Sequence, residues 1–376
     1  MRDSNDFKRI KKAFVYTCAY NAEKTIARTI ESVLNQTFKD FDYFIVNNGS
    51  TDSTGDIILN YAASDNRLYM IQINVNDLRN SRTLVQALSY SSGAKYGARI
   101  DADDVMHNDY LETMINYADE NDLDIVACGY NKIDGETGKL LSVKQCDENF
   151  IIEGEKFKDE FIKYRGFTIY SWGKLSNLDL SKKYINTNRL KFRASVNGEK
   201  LSSIKDKIYQ ATDSTETLEV IKLAKRFGVV GKPLMDYYIY KNALSYSLTE
   251  NMYDSYMKLY VNTREFIESK GSLSSENENF LHCIYLSILN EFSARIFELK
   301  NMANADKYKA LHSILANNYT KESFSFAADP KFRNLATRVQ WLNDLTIKLN
   351  RFSAEYSEAN ELIKLVEELK VSIPKL

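Results

Sequence analysis

The sequence of 376 residues contains only three prolines, three histidines and four cysteines. The cysteines stand far apart and form no C-x-x-C pair, which disfavours both a zinc site and a disulfide framework. Unpaired cysteines are typical of a reducing compartment, so we expect a cytoplasmic protein, placed at the inner face of the membrane if it contacts one. The cysteines are Cys18, Cys128, Cys146 and Cys283.

The sequence also lacks long apolar runs and an excess of charge of either sign. No run approaches the ~20 apolar residues that a membrane-spanning helix needs, so we expect any membrane contact to be peripheral. Lys+Arg 50 against Asp+Glu 51 leave a formal net charge of -1, which gives no overall attraction to nucleic acid. With 44% hydrophobic and 27% charged residues, the composition is that of a folded chain of two or three domains.

Short apolar runs alternate with helical patterns over roughly the first 130 residues. This alternation is typical of βα units around a largely parallel sheet, and it predicts an α/β fold. The predicted strands are 13–18, 43–46, 68–73, 97–100 and 124–128, and the predicted helices are 22–35, 82–91 and 110–120. The Asp-Gly-Glu-Thr-Gly sequence at 134–138 predicts a hairpin turn.

After residue 251 the pattern is helical to the end of the sequence. Apolar residues recur there every seven positions, which is a heptad-like seam. Two interpretations stay open: a helical hairpin that packs on its own domain, or a coiled coil that joins subunits into a homo-oligomer. The seam residues are Leu335, Leu342, Leu349, Tyr356 and Ile363.

Three polar clusters follow predicted strands, at residues 20–21, 47–52 and 101–104. In an open parallel sheet, ligands bind at the carboxyl ends of the strands. The third cluster, Asp101-Ala102-Asp103-Asp104, is the most informative, because three neighbouring carboxylates repel one another unless a cation lies among them. Oxygen ligands favour Mg²⁺ or Mn²⁺. The alternative is an acidic loop in which Asp104 caps the next helix.

Glycine-rich phosphate-binding motifs are absent from the sequence. There is no G-x-G-x-x-G after a strand and no G-x-x-x-x-G-K-[ST], so neither a dinucleotide-binding fold nor a P-loop is supported. A G-x-S-x-G nucleophile motif is missing as well. Carboxylates in place of a glycine-rich loop suggest that a diphosphate is held through a metal ion.

Four segments form an ordered set of motifs: Ala-Tyr-Asn-Ala-Glu-Lys-Thr-Ile at 19–26, Glu-Ser-Val-Leu-Asn-Gln-Thr-Phe-Lys-Asp-Phe at 31–41, Asn-Asn-Gly-Ser-Thr-Asp at 47–52 and Ala-Arg-Ile-Asp-Ala-Asp-Asp at 98–104. In this order and spacing they resemble the family 2 glycosyltransferases of GT-A fold. The resemblance implies a GT-A (Rossmann-like) nucleotide-binding sheet domain, and the α-helical C-terminal region lies outside it. We therefore expect a nucleotide-sugar half at 1–135, an acceptor half at 136–250 and, from the helical pattern, a helical domain at 251–376.

The resemblance also implies a reaction: the inverting, metal-dependent transfer of a hexosyl or N-acetylhexosaminyl group from a nucleoside diphosphate sugar, with UDP expected. Asp103, with Asp101, would bind Mn²⁺ or Mg²⁺. Tyr20 would stack on the nucleobase unless it is an ordinary core tyrosine, and Arg79 is the alternative to Arg82 near the diphosphate. The residues implied in nucleotide binding are Ala19, Tyr20, Glu23, Asn48, Arg82, Asp101 and Ala102.

A weaker resemblance continues on the acceptor side. Trp172-Gly173-Lys174-Leu175 is similar to a W-x-K-L segment of these enzymes, which places Trp172 and Lys174 at the sugar or acceptor. The usual spacing back from Pro233 assigns the general base to Asp213, although Thr212 stands where the family has Glu. The acceptor would be a lipid-linked, polymer-linked or protein-linked saccharide in the synthesis of a surface polysaccharide.

Departures from the family pattern keep alternatives open. Asn47 and Asn48 stand where the family has two aspartates, and an amide both donates and accepts, so uracil is possible and cytosine is not excluded. An inactive nucleotide-binding or scaffold protein of the same fold is the second hypothesis. A nucleotidyltransferase is the third, although it would normally carry an early glycine-rich loop with a basic residue.

Overall fold

The computed structural model describes residues 10–76, 78–168, 170–180, 182, 212–240, 252–271, 273–300, 302–325 and 335–373. The chain divides into two compact units. The first comprises Met1–Ser203 and Glu216–Ala243, and the second comprises Ile204–Thr215 and Leu244–Leu376. The boundaries drawn from the sequence at 135 and 250 stay predictions.

The first part of the chain alternates strands and helices, as predicted. In chain order the elements are β1 (Ala13–Ala19), α1 (Ile26–Leu34), β2 (Phe41–Asn48), α2 (Thr54–Ser64), β3 (Leu68–Ile73), α3 (Leu78–Ser91), β4 (Tyr96–Arg99), β5 (Val105–Met106), α4 (Tyr110–Glu120), β6 (Ile125–Asp134), β7 (Leu140–Lys144), β8 (Phe150–Glu153), α5 (Lys156–Asp159), α6 (Phe161–Arg165), β9 (Lys174–Asn177), α7 (Thr212–Leu223) and β10 (Arg226–Ile239).

The described strands form one ten-stranded mixed sheet in the order β3-β2-β1-β4-β9-β6-β10-β5, with β7 beside β6 and β8 beside β10. Strands β1 to β4 are parallel, and so are β6 and β10. Strand β9 is inserted antiparallel between β4 and β6. The α/β prediction is confirmed, while β5, β7, β8 and β9 were not predicted individually.

The central strands are apolar on both faces because both faces of the sheet are covered. On one face, Val15 of β1 belongs to a core that includes Ile26 and Ile30 of α1. On the opposite face, the ring of Phe14 stacks on Phe44 with centroids 4.7 Å apart. Ile26 and Ile30, one turn apart in α1, therefore lie on the buried side of that helix.

The order of the strands brings the predicted polar clusters to one edge of the sheet. Ala19 at the end of β1 pairs with Asn47 of β2, and Tyr16 of β1 pairs with Arg99 at the end of β4. Because these strands are parallel, the loops that follow them leave the sheet on the same side.

The second unit is helical, as predicted, and no helix in the described part of the chain is both long and apolar enough to cross a bilayer. Its helices are α8 (Met252–Ser269), α9 (Ser275–Arg295), α10 (Asn304–Leu315), α11 (Asn318–Ser325), α12 (Leu335–Glu355) and α13 (Asn360–Ser372).

The heptad-like seam does not run along one continuous helix. Helix α12 ends at Glu355 and α13 begins at Asn360, so the seam turns back as a helical hairpin. Leu342, Leu349 and Val366 are fully buried within the single chain. The structure shows the hairpin interpretation, and these apolar side chains are covered by their own unit.

Candidate active site

The loop after β1 and the loop after β2 are joined by side-chain hydrogen bonds. Asn21 adopts a left-handed backbone (φ 48°), and its Oδ1 accepts from the backbone N–H of Thr51 at 2.9 Å. In return, the N–H of Asn21 donates to Ser50 Oγ at 3.0 Å, and the N–H of Ala22 donates to Thr54 Oγ1 at 2.7 Å. An Asn tolerates this conformation better than most residues. These hydrogen bonds hold the two loops to each other, and together the loops form one surface, called the wall below.

Two carboxylates strengthen the same wall. Glu23 Oε2 accepts from the N–H of Ser53 at 3.1 Å, and Asp52 Oδ2 accepts from the N–H of Glu23 at 3.2 Å. The carboxylate of Glu23, assigned to the nucleotide by resemblance, thus holds the neighbouring loop. Beside it, Ala19 is fully buried at the end of β1, and Tyr20 is 46% exposed and open to stacking.

Asn48 connects this wall to the loop after β3. Its side chain is 2% exposed, its Nδ2 donates to Asn76 Oδ1 at 2.7 Å, and its Oδ1 accepts from Ser81 Oγ at 2.6 Å. Both hydrogen-bonding groups of the amide are therefore engaged with the protein. Arg82 lies in α3, but its side chain and that of Arg79 are outside the described part of the structure.

The acidic cluster lies directly after β4, where the sequence predicted it. Asp101 Oδ1 accepts from Arg99 Nε at 3.0 Å and from Nη2 at 2.8 Å, while Ala102 and Asp103 follow in the turn before β5. Burial, together with the nearby charge of Asp101, raises the pKa of Asp103 to about 6. A cation beside these two carboxylates would favour their charged forms.

Asp104 is fully buried and plays a structural part. Its Oδ1 accepts from the N–H of Tyr238 at 3.0 Å, which ties the acidic loop to β10. The alternative that Asp104 caps the next helix is wrong, because Asp109 occupies the N-cap of α4. Burial, and then the charges of Asp103 and Asp101, raise the pKa of Asp104 well above its usual range.

Arg28 of α1 supports the acidic loop from one side, and sequence reasoning missed it. Its Nη2 donates to the carbonyl oxygen of Asp103 at 2.7 Å, and its guanidinium lies 3.6 Å from the ring centroid of Tyr238. The next residue, Thr29, donates from Oγ1 to the carbonyl of Asp104 at 2.8 Å. The only sign of this role in the local sequence was a basic residue in the first predicted helix.

The residues of the acidic cluster fit a hard divalent ion. No group of three or more His, Cys, Asp or Glu side chains within the described ranges is placed to hold a metal by itself. Mg²⁺ is, however, often bound by one or two carboxylates together with substrate phosphates. Asp101 and Asp103 supply two such carboxylates. Close by, Oδ2 of Asp104 is buried without a hydrogen-bond partner.

Trp172 and Lys174 belong to the segment that leads into β9, and Lys174 is the first residue of that strand. Trp172 is 4% exposed and stacks on Tyr170 with centroids 4.4 Å apart, at an interplanar angle of 9°. Lys174 is 6% exposed, and its ammonium donates to the carbonyls of Tyr170 and Trp172. The hydroxyl of Ser171 accepts from Arg99 Nη1 at 2.7 Å, which links this segment to Asp101.

Two tyrosines from neighbouring strands complete an aromatic cluster, defined here as Tyr130, Tyr170, Trp172 and Tyr237. The ring centroid of Trp172 lies 5.1 Å from that of Tyr130 and 4.9 Å from that of Tyr237. The three tyrosines are partly exposed, whereas Trp172 is buried beneath them. The resemblance assigned Trp172 to the acceptor side, but Trp172 is buried, and the partly exposed residues of the cluster are its three tyrosines.

Asp213, the general base implied by the resemblance, lies in the first turn of α7. Its side chain is outside the described part of the structure. Its role stays a prediction.

The comparison with protein families agrees with this geometry. Residues 14–177 match the model of the family described as Glycosyl transferase family 2. The chain resembles this family over residues 14–177, which are less than half of its length. The match begins in β1, includes the acidic cluster and ends with β9.

Two relatives extend the likeness beyond residues 14–177. The putative glycosyltransferase EpsH of Bacillus subtilis is 28% identical over 300 residues, which are 75% of this chain and 79% of the relative. The poly(ribitol-phosphate) beta-N-acetylglucosaminyltransferase TarP of Staphylococcus aureus is 25% identical over 350 residues, 91% of this chain and 89% of the relative.

A solved structure shares the fold. The crystal structure of S. aureus TarS 1-349 in complex with UDP-GlcNAc superposes with a TM-score of 0.59 at 15% identity, covering 97% of this chain and 93% of that chain. The GT-A fold with a helical C-terminal region, expected from the sequence, is confirmed.

Proposed function

We propose that this glycosyltransferase transfers a sugar from a UDP-sugar to a hydroxyl group of a saccharide acceptor in the synthesis of a surface glycan. The observation that carries the proposal is the acidic cluster at the edge of the sheet, next to the wall made by the loops after β1 and β2. The names of TarP and of the TarS complex, both of which mention N-acetylglucosamine or UDP-GlcNAc, support UDP-GlcNAc as the first donor to test.

The donor site follows from the residues at the sheet edge. We assign Tyr20, a residue that is 46% exposed beside this wall, to stacking on the base. Asp101 and Asp103 would hold Mn²⁺ or Mg²⁺, which when bound supplies positive charge against the diphosphate as it leaves. Arg99 fixes the carboxylate of Asp101 through two contacts at 3.0 and 2.8 Å.

The acceptor hydroxyl needs a base, since a hydroxyl is a poor nucleophile. We assign this role to Asp213, at the start of α7, by the resemblance. Removal of the hydroxyl proton by Asp213 and attack on the face opposite the leaving group would give inversion. We assign the tyrosines of the aromatic cluster to the acceptor side.

We also place the reaction on the cytoplasmic side. None of the four cysteines forms a disulfide, which is consistent with a reducing compartment. Peripheral contact with the inner face of the membrane is part of the same hypothesis, since glycan acceptors are often lipid-linked.

A nucleotide panel with an activity assay tests the proposal. Thermal unfolding is followed with UDP, CDP, GDP and dTDP, each with Mn²⁺, Mg²⁺ or EDTA. UDP at about 100 times its dissociation constant should stabilise the protein by about 2.7 kcal/mol, and only with metal. UDP release from UDP-GlcNAc is measured in parallel.

Asp103→Asn keeps the shape of the side chain and removes its charge. It should abolish the metal-dependent part of both the stabilisation by UDP and the release of UDP from UDP-GlcNAc. Asp119→Asn, at a carboxylate bonded to Lys12 and Lys95, is the control for general loss of stability. Metal-independent stabilisation by UDP in the wild type would contradict the assigned metal role. Binding of UDP without turnover on any acceptor would favour the inactive-scaffold alternative.

A further inference from the structure

Arg99, the last residue of β4, joins two parts of the candidate active site that are far apart in the sequence. Its Nε and Nη2 contact Oδ1 of Asp101 at 3.0 and 2.8 Å, and its Nη1 donates to Oγ of Ser171 at 2.7 Å. The Arg99 side chain is 12% exposed, so salt and water screen these contacts little. One guanidinium therefore holds a residue assigned to the metal and a residue of the segment before β9.

The segment that carries Ser171 is anchored on both sides of that residue. The residues before and after it are Tyr170 and Trp172, and the ammonium of Lys174 donates to both of their carbonyl oxygens. The rings of Tyr170 and Trp172 stack with centroids 4.4 Å apart. Because Ser171 lies between them in the chain, a displacement of its backbone displaces both rings.

The contacts continue from this segment into the rest of the aromatic cluster. The ring of Trp172 lies 5.1 Å from that of Tyr130 in β6 and 4.9 Å from that of Tyr237 in β10. A continuous series of contacts thus runs from the carboxylate of Asp101 to the aromatic cluster. Each step in the series is a hydrogen bond, a peptide bond or a contact between rings.

Arg99 is placed to respond to charge at the acidic cluster. In the structure its guanidinium is held at Asp101 by opposite charge. With a divalent ion at Asp101, the guanidinium would have two further positive charges close by, and like charges repel. The attraction to Asp101 then weakens, whereas the hydrogen bond to the neutral hydroxyl of Ser171 is affected less.

The shape of the guanidinium also matters at this position. Its donors lie on different edges of one rigid plane, so Nε and Nη2 face Asp101 while Nη1 reaches Ser171. A lysine has a single charged nitrogen on a flexible stem and would not keep the two contacts in a fixed relation. The link therefore depends on the guanidinium and not on positive charge alone.

We propose that Arg99 is a positioning residue that couples the donor site to the aromatic cluster. It holds the carboxylate of Asp101 and the segment at 170–172 in one arrangement, so that a change at the donor site is transmitted to the rings assigned to the acceptor. The proposal rests on the proposed function, since the donor site and the acceptor side belong to that enzyme. A purely structural arginine would hold both segments without transmitting a change between them.

Trp172 itself is a spectroscopic reporter of this coupling. The sequence contains two tryptophans, and the other, Trp341, lies in α12 of the second unit. Trp341→Phe, or Trp341→Tyr if the first variant does not fold, leaves Trp172 as the single tryptophan of the parent protein. The wavelength of its emission maximum is measured, because light absorption by an added nucleotide changes the intensity far more than the wavelength.

The first test is a double-mutant cycle without ligand. Asp101→Asn removes the charge that holds Arg99 and should shift the emission maximum of Trp172. The same substitution should give no shift in the Ser171→Ala background, where the link is broken, and should give the shift again in the Ser171→Thr background, which keeps the hydroxyl. Arg99→Lys should also remove the effect of Asp101→Asn. A shift that persists in Ser171→Ala or in Arg99→Lys, or no shift in the parent, overturns the proposal.

A matched control uses a similar ion pair outside the site. Asp65 accepts from Nε and Nη2 of Arg67 at 3.0 and 2.7 Å, just before β3. Asp65→Asn should leave the emission maximum of Trp172 unchanged. A shift as large as that of Asp101→Asn would show that the emission reports general loosening of the sheet, and it would overturn the proposal.

The second test adds UDP with Mg²⁺, which unlike Mn²⁺ is not paramagnetic. The emission maximum of Trp172 should shift in the parent but not in Ser171→Ala, whose UDP affinity in calorimetric titration should equal that of the parent because Asp101 and Arg99 are intact. A retained shift in Ser171→Ala, or a lost UDP affinity in that variant, overturns the coupling while the donor reaction stands. If the parent does not bind UDP but the ligand-free cycle shows coupling, the proposed function fails and the link from Asp101 to the aromatic cluster stands.

Discussion

Gly49 allows the loops after β2 and β3 to approach each other more closely than any other residue type would permit. Its φ is +76°, in the left-handed region, and an added Cβ would lie 2.7 Å from the backbone nitrogen of Asn76 and 2.8 Å from the carbonyl carbon of Val75. Both neighbours are backbone atoms, so neither can rotate away. Gly49→Ala must therefore separate the two loops.

The cost has two parts that a control can separate. An alanine in the left-handed region costs about 1–2 kcal/mol wherever it stands. Relief of the contacts adds about 1–3 kcal/mol at Gly49, the range usual for an overpacked site. Gly138 in the β6–β7 turn has φ +71° and nothing within 4 Å of an added Cβ, so Gly138→Ala should show only the first part.

The assay is calorimetric unfolding, which resolves separate transitions if the two units unfold independently, combined with UDP binding. We expect Gly49→Ala to be destabilised by about 2–5 kcal/mol and to bind UDP more weakly, because Asn48 holds the same pair of loops. Gly138→Ala should lose about 1–2 kcal/mol and bind UDP normally. Equal destabilisation of both variants with unchanged UDP binding would refute the close-approach argument.

Three further predictions concern single side chains. His107 Nε2 lies 2.9 Å from Asp236 Oδ1, and this hydrogen bond raises the pKa of His107, so the stabilisation is present below pH ~6.5 and is lost as the pH rises through the raised value. His107→Gln should therefore lower the melting temperature more at pH 6 than at pH 9, and an equal loss at both would contradict the pairing. Tyr20→Ala should weaken UDP binding by about 5- to 150-fold, as expected for a lost base–aromatic stack, with Tyr20→Phe near wild type; calorimetric titration showing equal affinities would exclude stacking. Asp213→Asn should lower kcat by about 10²-fold or more at unchanged UDP affinity, and a near-normal kcat would place the base elsewhere.

Local sequence was sufficient for several elements in the first part of the chain. Strand β3 and helix α4 lie where the periodicity predicted them, because one apolar face per element leaves a clear pattern. Strand β6 was predicted to end at Cys128 but continues to Asp134. Its second half pairs with β10, about a hundred residues further along the chain, and a local window contains no sign of that partner.

The sequence by itself determined the α/β class, the order of the polar clusters, the acidic cluster after β4 and the helical C-terminal region, since each depends on residues close together in the chain. Only the tertiary structure decided which distant side chains meet. Arg28 contacts the acidic loop 75 residues later, and the aromatic cluster joins residues of β6 and β10 to the segment before β9. Such contacts follow from the order in which the strands pair. That order depends on burial over the whole sheet, so it cannot be predicted from a short segment of sequence.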